Sequence, residues 1–133
     1  MELRAVLVLA SLVSVVLGAG GCAHTDVTAG QAQRLITATD DLIIVDVRER
    51  SEYCDARGHI PGALNYPYTS GVLEARYQEL PKDHPILVVC RSGRRSNLAA
   101  ELLRSHGFTE VYDMTGGMKA WEWETAPCDE ASR

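Results

Sequence analysis

The residues best suited to chemistry lie together in Cys90-Arg91-Ser92-Gly93-Arg94-Arg95-Ser96. A cysteine is followed within five residues by three arginines and a glycine, a density of charge that core packing does not require. The segment before it, Pro85-Ile86-Leu87-Val88-Val89, is short, apolar and rich in β-branched residues, the pattern of a buried strand. The segment after it, Ser96 to His106, carries apolar residues at helical spacing and ends at Gly107, where a helix C-cap belongs. Cys90 is thus expected at the carboxyl end of a strand, facing the amino end of a helix. Unpaired N–H groups and the positive end of the helix dipole favour an anion there, and the arginines act in the same direction. The chemistry this suits is nucleophilic attack by a thiolate. The competing reading is a small buried hydrophobe closing a core strand. It leaves the arginines unexplained.

The elements that would position this loop alternate along the chain. Thr28-Ala29-Gly30-Gln31 fits a capping box opening a helix from Ala29 to about Thr37, with Ala32, Leu35 and Ile36 on one face. Leu42 to Val47 is apolar on both alternating faces, as in a central parallel strand, and its end carries Asp46 and Arg48. A short helix is expected over Arg48–Tyr53, a loop over Gly58–Gly62 and a short strand at Ala63–Asn65. A helix over Val72–Leu80 stops at Pro81, a last strand covers Val111–Asp113, and Gly116-Gly117 turns into a helical turn at Met118–Trp121. This alternation predicts an α/β fold, a parallel sheet with helices on both faces. Ligands of such sheets bind beyond the carboxyl ends of the strands, which places Cys90 and the Asp46–Arg48 pair on one rim.

The chain has 133 residues and a formal net charge of −5, which argues against nucleic acid as a partner and makes the arginine cluster a local anion site. Four histidines are scattered and no cysteine spacing suits zinc, so neither metal nor cofactor is expected. Residues 1–21 contain an apolar run, Ala5 to Leu17, followed by small residues, the pattern of an export signal. The small residues before Cys22 resemble a bacterial lipobox, although Ala19 stands where that pattern prefers a larger aliphatic residue. The resemblance implies lipidation of Cys22 and attachment to a membrane in the cell envelope or periplasm. Cleavage near Gly21 or Ala23 to give a soluble secreted protein, and an uncleaved anchor, stay open. Residues 22–26 then form a polar tether with room for a short strand, 27–124 a single domain, and 125–133 a tail that is loose unless Cys128 is bridged. An exported compartment permits a Cys54–Cys128 disulfide. Two separate thiols, or Cys54 as a resolving thiol for Cys90, are the alternatives.

Three blocks resemble the rhodanese-like domain. They are Asp46-Val47-Arg48 with Glu52-Tyr53 and Gly58-His59-Ile60-Pro61-Gly62-Ala63, then Cys90 to Ser96, then Gly107-Phe108, Val111 and Gly116 to Trp121. The resemblance covers about Val27 to Trp123. It implies a thiosulfate sulfurtransferase in which Cys90 carries the transferred sulfur and the backbone amides from Arg91 to Ser96 surround the persulfide. Arg94 and Arg95 would attract the anionic donor and stabilise departing sulfite, and cyanide, a thiol or a protein would take the sulfur. Asp46, Arg48, Glu52 and His59 would be scaffold at the site's edge. Cys54-Asp55-Ala56-Arg57 makes one loop longer than the family's shorter form. Cysteine phosphatases and arsenate reductases of related fold place an arginine after five residues, where this chain has Ser96. A non-catalytic or sulfur-carrier binding module of the same fold remains as an alternative. Thiol–disulfide exchange lacks its Cys-x-x-Cys.

Overall fold

A computed structural model describes residues 23–129. The apolar run at the amino end and Cys22 lie outside these residues, and with them the export and lipidation expectations. No described helix is long and apolar enough to cross a membrane.

The chain runs β1 (Thr25–Val27), α1 (Ala29–Ala38), β2 (Ile43–Asp46), α2 (Arg50–Tyr53), β3 (Leu64–Asn65), α3 (Val72–Arg76), β4 (Ile86–Val89), α4 (Arg94–Ser105) and β5 (Val111–Met114). Short 3-10 turns follow at Tyr77–Glu79 and Gly117–Ala120. The five strands form one sheet in the order β1-β5-β4-β2-β3, every pairing parallel. β4 lies at the centre and is buried along its whole length, which accounts for its unbroken apolar run. Alternation along the strands divides the core. Val45, Val47, Ile86, Val88 and Cys90 pack with Leu73, Ala99, Leu103 and Phe108 on one face. Ile44, Leu87, Val89 and Met114 pack with Ala29, Ala32, Ile60 and Met118 on the other. Cys90 therefore belongs to the α4 face and continues the period-2 pattern one residue past the strand.

The α1 capping box is present: Gln31 N–H donates to Thr28 Oγ1 (3.2 Å), and Thr28 N–H donates to Gln31 Oε1 (2.8 Å). Two helices depart from the sequence expectation. The helix expected over Val72–Leu80 is α-helical only to Arg76, then tightens into the 3-10 turn. Pro81 disfavours the α conformation at Leu80, and the tighter turn brings Glu79 to both Arg76 and Tyr66 (2.9 Å each). α4 begins two residues before the expected Ser96. Gly93 is its N-cap with φ +104°, a conformation open to glycine, so Arg94 and Arg95 fall in the first turn. Cations are disfavoured at that position by the helix dipole, which is why the arginines read as loop.

Cys54 and Cys128 are joined by a disulfide across 74 residues of sequence. The tail is also held by backbone pairing, His59 N–H to Ala126 O (3.0 Å) and Ala126 N–H to His59 O (2.8 Å). With Cys54 engaged, it is not a resolving thiol for Cys90 in this state. Closing so long a loop restricts the unfolded chain, an effect on the order of 2–4 kcal/mol. The double variant Cys54→Ser/Cys128→Ser is expected to lose about that much in urea unfolding. An unchanged midpoint would show that the backbone pairing alone holds the tail.

Candidate functional site

Cys90 stands one residue beyond β4 and is 1 % exposed. Its sulfur accepts the Gly93 N–H at 3.0 Å, and its S–H donates to Ser96 Oγ at 3.4 Å. Ser96, fully buried, donates its own hydroxyl to Gly93 O (3.1 Å). The loop thus curls back on the sulfur, and the left-handed Gly93 is what lets its amide turn inward. A hydroxyl that meets both the sulfur and a carbonyl can rotate to serve either. When the sulfur is anionic, Ser96 can donate to it.

The loop is fastened from outside by the segment from Gly117 to Lys119, which the sequence marks only as a turn. Met118 N–H donates to Cys90 O (2.8 Å) and Lys119 N–H to Arg91 O (3.1 Å). Gly117, at φ +59°, is pressed against these same peptides, and a Cβ there would come within 2.5 Å of Cys90 O and Arg91 O. The consecutive glycines 116 and 117 were the only available signal, since the contact joins segments far apart in the chain.

The expected loop arginines divide. Arg91 and Arg94 are exposed and make no ion pair among the described residues. Arg95, expected to hold the donor, instead forms a two-pronged pair with Glu52, Nη1 to Oε2 at 2.7 Å and Nη2 to Oε1 at 2.8 Å. This ties the first turn of α4 to α2. The Arg95 hydrogen bond holds the Glu52 carboxyl below its usual range, against the opposing effect of burial. A depressed carboxyl contributes stability above its unfolded value, and that contribution disappears as pH falls through the folded value. Glu52→Gln is therefore expected to cost about 1 kcal/mol near neutrality. The difference from the parent should shrink as pH falls below the ordinary glutamate range and vanish only below the depressed folded value. Equal differences at both ends of an acid titration of urea midpoints would refute the linkage.

Asp46 and Arg48, each 1 % exposed, form a buried pair with contacts of 2.7–3.1 Å. Arg48 also donates to Glu52 O (3.2 Å) and Gly58 O (3.0 Å), joining the end of β2 to α2 and the following loop. His59 stacks on Tyr53 (ring centroids 3.7 Å apart), and its Nδ1 meets Tyr53 O at 3.1 Å. These four residues brace the rim. Arg48, Glu52, Asp55, Arg57 and Arg91 line a small cavity of about 160 Å³ on one side of the active loop. Ser92, Gly93 and Arg94 border another of about 440 Å³ on the opposite side.

A parallel α/β sheet whose central strand delivers a cysteine into a glycine-capped, arginine-rich loop defines a class of domains built around a nucleophilic thiolate. The rhodanese-like domain matches residues 28–124, and the chain belongs to the rhodanese-like sulfurtransferase family. It is 39 % identical over 90 residues to a sulfurtransferase of Allochromatium vinosum, covering 68 % of this chain and 79 % of that protein. A Bacillus subtilis protein named as a sulfur carrier is 38 % identical over 90 residues, again 68 % of this chain. The match spans 46 % of that protein's length and 59 % of a second Bacillus relative, so the chain spans about half the length of these relatives. Among solved structures, a rhodanese-like domain protein of Staphylococcus aureus superposes with a TM-score of 0.66 at 27 % identity, covering 75 % of this chain and 93 % of that one.

Proposed function

We propose that the protein moves sulfane sulfur from thiosulfate, or a donor of similar charge, through a persulfide on Cys90. The observation that carries this reading is the Cys90 sulfur itself. It lies at the amino end of α4, already hydrogen-bonded to the Gly93 amide, with the guanidinium groups of Arg91 and Arg94, free of ion pairs among the described residues, beside the loop. In the first half-reaction the Cys90 thiolate attacks the outer sulfur of thiosulfate. A new S–S bond forms, the sulfur–sulfur bond of thiosulfate breaks, and its electron pair leaves with sulfite. In the second, cyanide or a thiophilic acceptor attacks the outer sulfur, and Cys90 returns as thiolate. No external oxidant or reductant is needed. Preorganised amides and nearby cations favour the anionic persulfide and the departing dianion without reorganising during the reaction. Arg95 serves by holding the first turn of α4 to Glu52.

Export supplies the setting of this reading. The apolar run before Cys22 and the Cys54–Cys128 disulfide both suit an oxidising compartment outside the cytoplasm, with Cys22 as the point of membrane attachment. The relative named as a sulfur carrier supports one variation, in which the acceptor is a partner protein.

The test is the intact mass of the reduced-at-Cys90 protein before thiosulfate, after it, and after cyanide. A gain of about 32 Da on Cys90 that cyanide removes is the expected result. No gain on a free Cys90 thiol would exclude thiosulfate as donor and favour the carrier reading.

A further inference from the structure

On the far side of the active loop from Glu52, three segments bring polar groups to one point. His24 Nε2 lies 3.3 Å from Asp26 Oδ1, 4.0 Å from Asp113 Oδ2 and 3.0 Å from the side-chain amide nitrogen of Asn97. His24 precedes β1, Asp26 is in it, Asp113 is in β5 and Asn97 is in α4. One ring nitrogen carries either one proton or one lone pair, so it satisfies one of these neighbours at a time. The side chains of His24 and Asp113 are only 9 % and 2 % exposed. Asp113 Oδ1 is buried with no hydrogen-bond partner among the described residues, and it belongs to the wall of the 440 Å³ cavity together with Asp26 and Asn97. A buried carboxylate is retained when it is paired, fully hydrogen-bonded or bound to a metal. Ser96 and Asn97 face the Asp113 carboxylate, but its Oδ1 accepts from neither, so the first two conditions are incompletely met.

We propose that His24, Asp26 and Asp113 form a binding site for a divalent cation of the zinc class. Bonds of roughly 2.0–2.2 Å to nitrogen and oxygen in tetrahedral array set ligand atoms about 3.3–3.6 Å apart. The His24–Asp26 separation of 3.3 Å falls at the lower end of this range, and all three ligand atoms lie within 4.8 Å of one another. Two carboxylates balance a dication, and the imidazole selects against magnesium and calcium, which prefer oxygen alone. A half-turn of the Asn97 amide would present its oxygen as a neutral fourth ligand. The expectation of no metal rests on spacing along the chain, whereas these ligands meet only through the β1–β5 pairing and the packing of α4. The bound cation would fasten a three-residue edge strand to the helix whose first turn follows the active loop.

The experiment uses the full chain in detergent, with Cys22→Ser and Cys90→Ser so that no free thiol competes for metal, stripped by chelator and titrated with Zn²⁺ by calorimetry. One saturable site is expected, weakened at least about tenfold by His24→Ala and by Asp26→Asn separately. The thermal midpoint should rise with Zn²⁺ in the parent and stay fixed in the His24→Ala chain. The Asp26 side chain is 64 % exposed, so its replacement leaves the fold intact. Absence of saturable binding, or binding indifferent to both substitutions, would overturn the proposal.

Discussion

Cys90→Ser is expected to end sulfur transfer while leaving a folded protein. A hydroxyl in place of the thiol can still accept from the Gly93 amide, which lies 3.0 Å from the sulfur. Oxygen at this position is not ionised near neutrality and does not form the sulfur–sulfur bond that the cycle requires. Thiosulfate-to-cyanide turnover should fall by at least about a thousandfold, as when an essential nucleophile is removed elsewhere. The thermal midpoint should move little, since the exchanged group stays hydrogen-bonded in its buried place. Turnover within tenfold of the parent would remove Cys90 from the mechanism and with it the persulfide.

Gly117→Ala should have the largest effect on stability of any single methyl addition at the site. The added Cβ would fall within 2.5 Å of the carbonyl oxygens of Cys90 and Arg91, and still closer to the Arg91 carbonyl carbon. Those atoms belong to the active loop's own backbone and cannot move aside as a flexible side chain would. Relief requires breaking the Met118 and Lys119 hydrogen bonds that hold the loop. A loss of about 3 kcal/mol or more is expected in urea unfolding. Gly62→Ala is the matched control: φ is +82° there too, but no neighbouring atom lies within 4 Å of the added methyl. Its cost should be about 1 kcal/mol, the conformational part alone. Equal losses at the two positions would show that backbone conformation, and not contact with the active loop, explains Gly117.

Much of this architecture is legible in the sequence because its signals are local. The all-apolar run of β4, the capping box at Thr28 and Gln31, and the cysteine beside a helix start each sit within a few consecutive residues. What escapes depends on contacts between distant segments. Arg95 reads as a donor-binding cation until Glu52, 43 residues earlier, is found against it. Gly117 reads as a turn until the peptides of Cys90 and Arg91 are found under it. His24 reads as part of a polar tether, although pairing of Thr25–Val27 with Tyr112–Met114 brings it to Asp113. The early start of α4 escapes for another reason. The arginines that mark an anion site are poor residues for a helix's first turn, so local propensity and chemistry conflict there.

The disulfide also divides the chain mechanically. Cys54 and Cys128 close a covalent ring that contains Cys90, Gly93, α4 and the Gly117 turn. Asp46, Arg48 and Glu52 lie on the open stretch before it. Tension applied between the two ends would run along that open stretch and cross at the sulfur–sulfur bond, bypassing the ring. Under load β1, α1 and β2 would peel away first, and the loop bearing the nucleophile would lose its Glu52 brace before its own backbone was stretched.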